Sequence, residues 1–206
     1  MNRTQRVLQR ARYSLSDPNK TRWTDEHLLT LLSEGQRDMA TRALLLKKTI
    51  FMPLIANKAI YTLPTDYINL EAAWVSSKGS RYLLEYVAYR DLSKRVRNWQ
   101  SVSGRPQYIV TGMQKVVDEL ELLYYYTPDY LKSDNEDLVL PDTVDQGLQH
   151  YVVGMALRDD KDTLNRQMGM EELNLYSLEV KRNLSDSAKD FNPAIRTIPY
   201  NGGLQW

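Results

Sequence analysis

The stretch LELLYYYTPDYLKSDNEDLVLPDTVDQGLQHYVVGMALRDD, residues 120–160, limits what this chain can fold into more than any other. Its first part alternates. Leu120, Leu122, Tyr124 and Tyr126 fall on one side of an extended chain, and Glu119 and Glu121 fall on the other. Alternation with period two marks a half-buried strand. Thr127, Pro128 and Asp129 end it, because proline has no N–H to give a ladder. An acidic loop follows at 133–137, then an extended entry, Leu138-Val139-Leu140-Pro141-Asp142. From about Thr143 the period becomes helical, with Val144, Leu148, Tyr151, Val152 and Met155 on one stripe. A β layer hands the chain to a helical layer here, so the fold must hold both.

Upstream, the pattern predicts a short helix at 4–15 whose apolar face is Val7, Leu8, Ala11 and Leu15, closed by the turn Ser16-Asp17-Pro18-Asn19. Arg3, Arg6 and Arg10 form a separate basic stripe on it. Such a stripe suits an acidic partner or phosphates, or is simply a solvated face. A second helix begins at Thr24, a good N-cap, with Asp25 and Glu26 at the positive end of the helix dipole. Its buried stripe is Leu28, Leu32, Gly35, Met39, Ala43 and Leu46, and Lys47 and Lys48 suit its C-terminal end.

From Thr49 the signals are β. Ile50, Met52 and Leu54 alternate, and Ala56-Asn57-Lys58 reads as a hairpin turn into a return strand at 59–63. Further strands are expected at 67–75, 82–86 and 107–111, with a short helix at 89–96 and a loop at 103–106. The block 49–128 is thus a β-rich insertion between helices.

After a helix ending near Arg158, a last helix is expected at about 163–184. At 100° per residue, Leu164, Met168, Leu175 and Leu178 share one face, while Met170, Leu173, Val180 and Leu184 lie nearly opposite. A helix apolar on two sides is buried on two sides. The first set is assigned to the chain's own core. The second, Met170, Leu173, Val180 and Leu184, is assigned to a neighbouring subunit, unless the helix is wholly internal. In the tail, Pro193, Pro199 and Gly202-Gly203 argue against regular structure. Yet Phe191, Ile195, Ile198, Tyr200, Leu204 and Trp206 are spaced along it. Apolar anchors in an irregular arm suit a segment that orders on another protein, or one that folds back on its own chain. The expected fold class is α+β: an antiparallel-type helical bundle of about four helices from 1–48 and 129–185, the β-rich domain 49–128 between helices 2 and 3, and an extended C-terminal arm at 186–206.

Composition removes several kinds of function. The net charge is +1 over 206 residues, which gives general nucleic-acid or membrane binding no support. With no cysteine, disulfides, thiol nucleophiles and cysteine-based zinc sites are excluded. No apolar run approaches a membrane span, and MNRTQRVLQR lacks the apolar core of a signal peptide, so an intracellular origin is expected. His27 and His150 sit on different helices, and no H-E-x-x-H, G-x-S-x-G or P-loop pattern occurs. No catalytic group, metal or cofactor is therefore expected. Tyrosine outnumbers phenylalanine fourteen to two, a balance that suits surfaces sometimes wet and sometimes buried.

Three stretches carry a family resemblance. Tyr61-Thr62-Leu63-Pro64-Thr65-Asp66-Tyr67-Ile68 is an L-P-x-D between an aromatic and an apolar pair. Gly104 and Pro106 precede the strand aromatic Tyr108. Last, a tyrosine-rich strand, Pro128 and an acidic loop lead to Leu140-Pro141-Asp142. In that order, within a helix–helix–β–helix–helix plan, the chain resembles the head-to-tail adaptors of short-tailed phages, the tail tubular protein A group and its relatives. The resemblance implies a structural virion protein, made in the host cytoplasm, that forms a homo-oligomeric ring, commonly of twelve copies, beneath the portal. The ring would join the portal protein to a tail nozzle or tail tube protein and extend a channel that genomic DNA passes without specific binding. The arm, with Phe191, Ile195, Ile198, Tyr200, Leu204 and Trp206, would reach the portal. Ring closure needs two different patches per subunit, and Met170, Leu173, Val180 and Leu184 would supply one. The rival reading is a helical nucleic-acid-binding regulator that uses Arg3, Arg6 and Arg10 and shows salt-sensitive DNA affinity.

Overall fold

Asn2 opens the first helix, α1 (Arg3–Ser14), with a capping box: its side chain accepts from the Gln5 backbone N–H, and the Gln5 side chain accepts from its own. Helix α2 (Asp25–Ala43) starts from Thr24, whose hydroxyl accepts from the His27 N–H. Leu44 ends it in the left-handed region at φ +51°. That reversal comes before the lysines, so Lys47 and Lys48 stand in the first strand rather than at a helix end.

The computed structural model describes residues 1–55, 58, 60–77, 79–86, 98–101, 107–110, 119–158 and 160–189. Its strands are β1 (Lys47–Pro53), β2 (Ile60–Thr62), β3 (Tyr67–Ser77), β4 (Ser80–Leu83), β5 (Glu85–Tyr86), β6 (Asn98–Ser101), β7 (Gln107–Val110) and β8 (Glu119–Tyr126). A 3-10 turn at Asp142–Val144 then leads into α3 (Asp145–Arg158) and α4 (Thr163–Lys189). The expected short helix at 89–96 and loop at 103–106, with Gly104 and Pro106, lie outside the described residues.

One sheet has the order β1-β8-β3-β4 and is antiparallel throughout. Strand β8 is central, with Leu120, Leu122 and Tyr124 wholly buried, and the ladders to β1 and β3 pair the backbone N–H and C=O groups that this burial takes from water. Ile50 sits opposite Leu122, and Val75 opposite Leu120. The second sheet has the order β2-β7-β6-β5, with β5 and β6 parallel. The hairpin expected between 50–54 and 59–63 does not form. Strand β1 matches the long alternation of β8, and the three-residue β2 pairs with β7 instead. Tyr61 of β2 is buried, and its hydroxyl accepts from the Ile55 N–H at 2.8 Å, so side-chain contacts hold that corner.

Two hydrophobic cores result. The bundle core gathers Val7, Leu28, Leu32, Met39, Leu148 and Val152 among others, and the sheet core gathers Leu54, Tyr61, Leu63, Val75, Leu120 and Tyr124. Tyr126, the last residue of β8, packs against both. The fold is α+β, with the sheet between helices 2 and 3. Helix α2 is more buried than a single stripe requires. Ser33 and Gln36 are also covered, because the returning chain lies on them: Ser33 Oγ accepts from the Leu131 N–H at 2.8 Å, and Gln36 Oε1 from the Val139 N–H at 2.9 Å.

Candidate assembly surfaces

Helix α4 has two apolar faces, as its spacing implies, but their roles are exchanged. Val180 is 3% exposed and Tyr176 is 2% exposed, both in the bundle core. Leu173 points at α3: a Cβ added at Gly154 would lie 2.7 Å from its Cγ, and one added at Gly169 would lie 2.9 Å from the Gly154 carbonyl oxygen. Two glycines thus let α3 and α4 approach along the Leu173–Val180 side. The expectation that Leu173 and Val180 face a neighbour is corrected by this packing. Met170 and Leu184, grouped with them, remain exposed. Leu164, Met168, Leu175 and Leu178, expected in the core, are at the surface, Leu164 at 64% and Leu178 at 60%. Periodicity separates two faces but cannot rank them. The glycines decide, since only the side bearing Gly169 allows close packing.

The basic stripe on α1 also divides. Arg3 Nε donates to Asp145 Oδ1 at 2.7 Å, and its guanidinium donates to the carbonyls of Leu138, Leu140 and Pro141. Asn2 Nδ2 donates to the Asp134 carbonyl at 2.8 Å, the Arg3 N–H to Asp137 Oδ1 at 3.1 Å, and Thr4 Oγ1 to the Glu136 carbonyl at 2.5 Å. The acidic loop and the Leu140-Pro141-Asp142 entry are therefore the seat of the first turn of α1. Arg6 and Arg10 are exposed, and their guanidinium groups find no ionic, hydrogen-bonding or aromatic partner among the described residues. Tyr13, a turn further on, is exposed too.

Sequence reasoning missed Arg12. It falls four residues after Leu8, on the apolar face, and is buried with its guanidinium on Asp17 at 3.3 Å, Asp25 at 2.6 Å and the Trp23 carbonyl at 2.9 Å. The Asp17 carboxylate accepts from the backbone N–H groups of Trp23, Thr21 and Arg22 and from the Thr21 hydroxyl. These donors, the Trp23 N–H foremost, hold its pKa at about 2 against the opposing effect of desolvation. An aspartate before Pro18-Asn19 was the visible signal, read only as a turn.

Asp66 of the L-P-T-D motif fastens the sheet to its exit. The Lys48 ammonium pairs with it and lies over the rings of Tyr126 at 4.6 Å and Tyr124 at 5.6 Å. The Tyr124 hydroxyl donates to Asp66 Oδ1 at 3.2 Å, and the Thr127 N–H to the Asp66 carbonyl at 2.8 Å. His150 Nδ1 meets Glu172 at 2.5 Å, joining α3 to α4, while His27 is exposed. Among the described residues no cluster of His, Asp or Glu side chains could hold a metal ion, and no helix is long and apolar enough to cross a membrane. Phe191, Ile195, Ile198, Tyr200, Leu204 and Trp206 lie outside the described residues.

Over residues 3–196, from the start of α1 to beyond α4, the chain matches the family model described as SU10 adaptor protein. It belongs to that family. The adaptor has no match among curated proteins. Family membership makes it a structural adaptor protein of a phage and a component of the virion; the family itself is not a known enzyme class. Its partners are other phage head and tail proteins. The match spans both layers and includes the L-P-T-D and L-P-D stretches, whose roles here are structural: one seats α1, the other ties β1 to β8.

Proposed function

We propose that the adaptor closes into a ring, commonly of twelve copies, between the portal protein and the tail nozzle or tail tube protein, and lengthens the channel through which the genome leaves. The observation that carries this reading is the exposed seam of Leu164, Met168, Leu175 and Leu178 on α4. A single helix bearing four large apolar residues in one exposed line asks for a protein partner. The neighbour-facing role passes to this seam from Leu173 and Val180; Met170 and Leu184 stay accessible to a partner. The arm bearing Phe191, Ile195, Ile198, Tyr200, Leu204 and Trp206 docks on the portal, its prolines lowering the entropy cost of laying it along a groove.

The regulator reading loses ground because Arg3 serves the chain's own carbonyls. Arg6 and Arg10 alone would neutralise two phosphates, a log–log salt slope of roughly −2, too weak a grip for a regulator. A channel also benefits from not holding DNA. The test is negative-stain imaging of the adaptor mixed with the portal of its phage, with and without residues after Asp190. The full chain is expected to stack as a ring on the portal, and the truncated chain to stay folded and fail to bind. No ring on the portal, or tight duplex binding at physiological salt, would overturn the proposal.

A further inference from the structure

A ring of identical subunits needs two unlike patches that fit each other, and the structure offers both. On α4, Leu164, Met168, Glu171, Leu175 and Leu178 recur at spacings of four, three, four and three residues, the heptad interval by which one helix seats another. All five are exposed, and Glu171 has no partner among the described residues. The stripe runs about 21 Å at 1.5 Å per residue. On α1, Arg6, Arg10 and Tyr13 recur at four and three, also exposed, and the two guanidinium groups are free of partners among the described residues. The other described arginines all have partners: Arg3, Arg12, Arg22, Arg42 and Arg182 meet carboxylates, Arg37 and Arg81 also lie over aromatic rings, Arg166 meets a hydroxyl, and Arg158 is engaged too. Helices α1 and α4 both pack on α2 and α3 and make no substantial contact with each other.

The geometry points to a head-to-tail pairing in which the α4 seam of one subunit receives the outer face of α1 from the next, with Arg6 and Arg10 on Glu171. The inference rests on the ring reading and names its interface. The seam supplies apolar surface with one unpaired acid at its centre. The facing helix supplies two unpaired cations whose aliphatic stems, with the Tyr13 ring, cover leucines while the charged heads reach the acid. A seam-on-seam pairing between two α4 helices would instead set two acids in one apolar strip and leave the arginines idle. It would also be isologous, which closes a pair and not a ring.

The absence of cysteine in the chain makes the test direct. Glu171→Cys and Arg10→Cys each introduce a single thiol at an exposed position, and circular dichroism verifies folding. Native mass spectrometry, on the adaptor alone and bound to portal, reads the oligomer independently. Under mild oxidation the two single variants, mixed, should give a disulfide-linked dimer, and neither should do so alone. The double variant should give a ladder ending at the subunit number of the ring. Glu171→Arg should weaken subunit association roughly tenfold, and adding Arg6→Glu and Arg10→Glu should restore it. Cross-linking of Glu171→Cys with itself would show seam-on-seam pairing and overturn the inference. So would an oligomer without the mixed cross-link, which would leave the ring reading standing. Absence of any oligomer, free or on portal, would remove the ring and this interface together. Duplex DNA binding lost on Arg6→Ala and Arg10→Ala would assign the face to nucleic acid and overturn it as well.

Discussion

Val180→Ala and Leu178→Ala, two residues apart on α4, should have opposite effects. Val180 is 3% exposed, and the substitution deletes two methyl groups from the bundle core. At about 0.8 kcal/mol each, they account for roughly 1.6 kcal/mol, and the incompletely closed hole adds about 0.5–1 kcal/mol. A loss of about 2–2.5 kcal/mol in a chain of this size lowers Tm by roughly 4–10 °C. Leu178 is 60% exposed in the isolated subunit, and its truncation should stay within about 0.5 kcal/mol, a shift of roughly 2 °C or less. Thermal unfolding followed by circular dichroism should be run on protein dilute enough to be monomeric, since association raises Tm by mass action. Native mass spectrometry at higher concentration supplies the second readout. Val180→Ala should melt early and still assemble well below its Tm. Leu178→Ala should melt with the wild type and fail to assemble. Equal losses of Tm in dilute protein would refute the exchange of faces, and normal assembly of Leu178→Ala would refute the use of the seam.

Arg3→Met strips the pairing from Asp145 and from three carbonyls, and should cost about 3 kcal/mol in urea unfolding; Arg6→Ala and Arg10→Ala should each stay within about 0.5 kcal/mol. Gly154→Ala places a methyl 2.7 Å from Leu173 Cγ and should destabilise by about 1–3 kcal/mol, with Leu173→Ala in the same chain recovering part of the loss if the clash is the cause. Acid should unfasten the corner between α1 and α2. Asp17 titrates near 2 in the folded chain against an ordinary value of 3.8, so its stabilising effect is complete above about pH 4 and fades as pH falls to about 2. Between those values the Tm of the wild type should fall more steeply than that of Asp17→Asn, and parallel curves would show that the Asp17 cage is not what fails.

Elements that depend on near neighbours were legible in the residues. The cap at Thr24 acts within three positions, and the apolar face Val7, Leu8, Ala11 and Leu15 is buried as its spacing implies. The alternation in β8 was equally plain, since a strand buried on one face writes its period directly. The misreadings involve partners far apart in sequence. Ile50, Met52 and Leu54 alternate correctly, but nothing in them says that β1 joins β8 and not the next strand. Lys47 and Lys48 suited a helix terminus until the left-handed Leu44 ended the helix early. The faces of α4 looked alike by hydrophobicity, and the deciding feature was the absence of a side chain at Gly154 and Gly169. Arg12 was hidden for the reverse reason: a charge on an apolar face is tolerated only because Asp17 and Asp25 converge on it from beyond the turn.

The central place of β8 sets a timetable for synthesis. Both of its neighbours precede it: β1 ends at Pro53 and β3 at Ser77, while β8 starts at Glu119. At about 5–20 residues per second, β1 waits roughly 3–13 seconds on the ribosome for the strand that completes its ladder. Meanwhile Ile50, Phe51 and Met52 sit on an unmatched edge of the kind that nascent copies can share with one another. The α1 and α2 pair waits longer, because α3 and α4 follow β8. The last two helices form a local hairpin, which closes fast once made. The sheet core, complete once β8 is made, can thus close before the bundle core, which waits for Tyr176 and Val180 of α4.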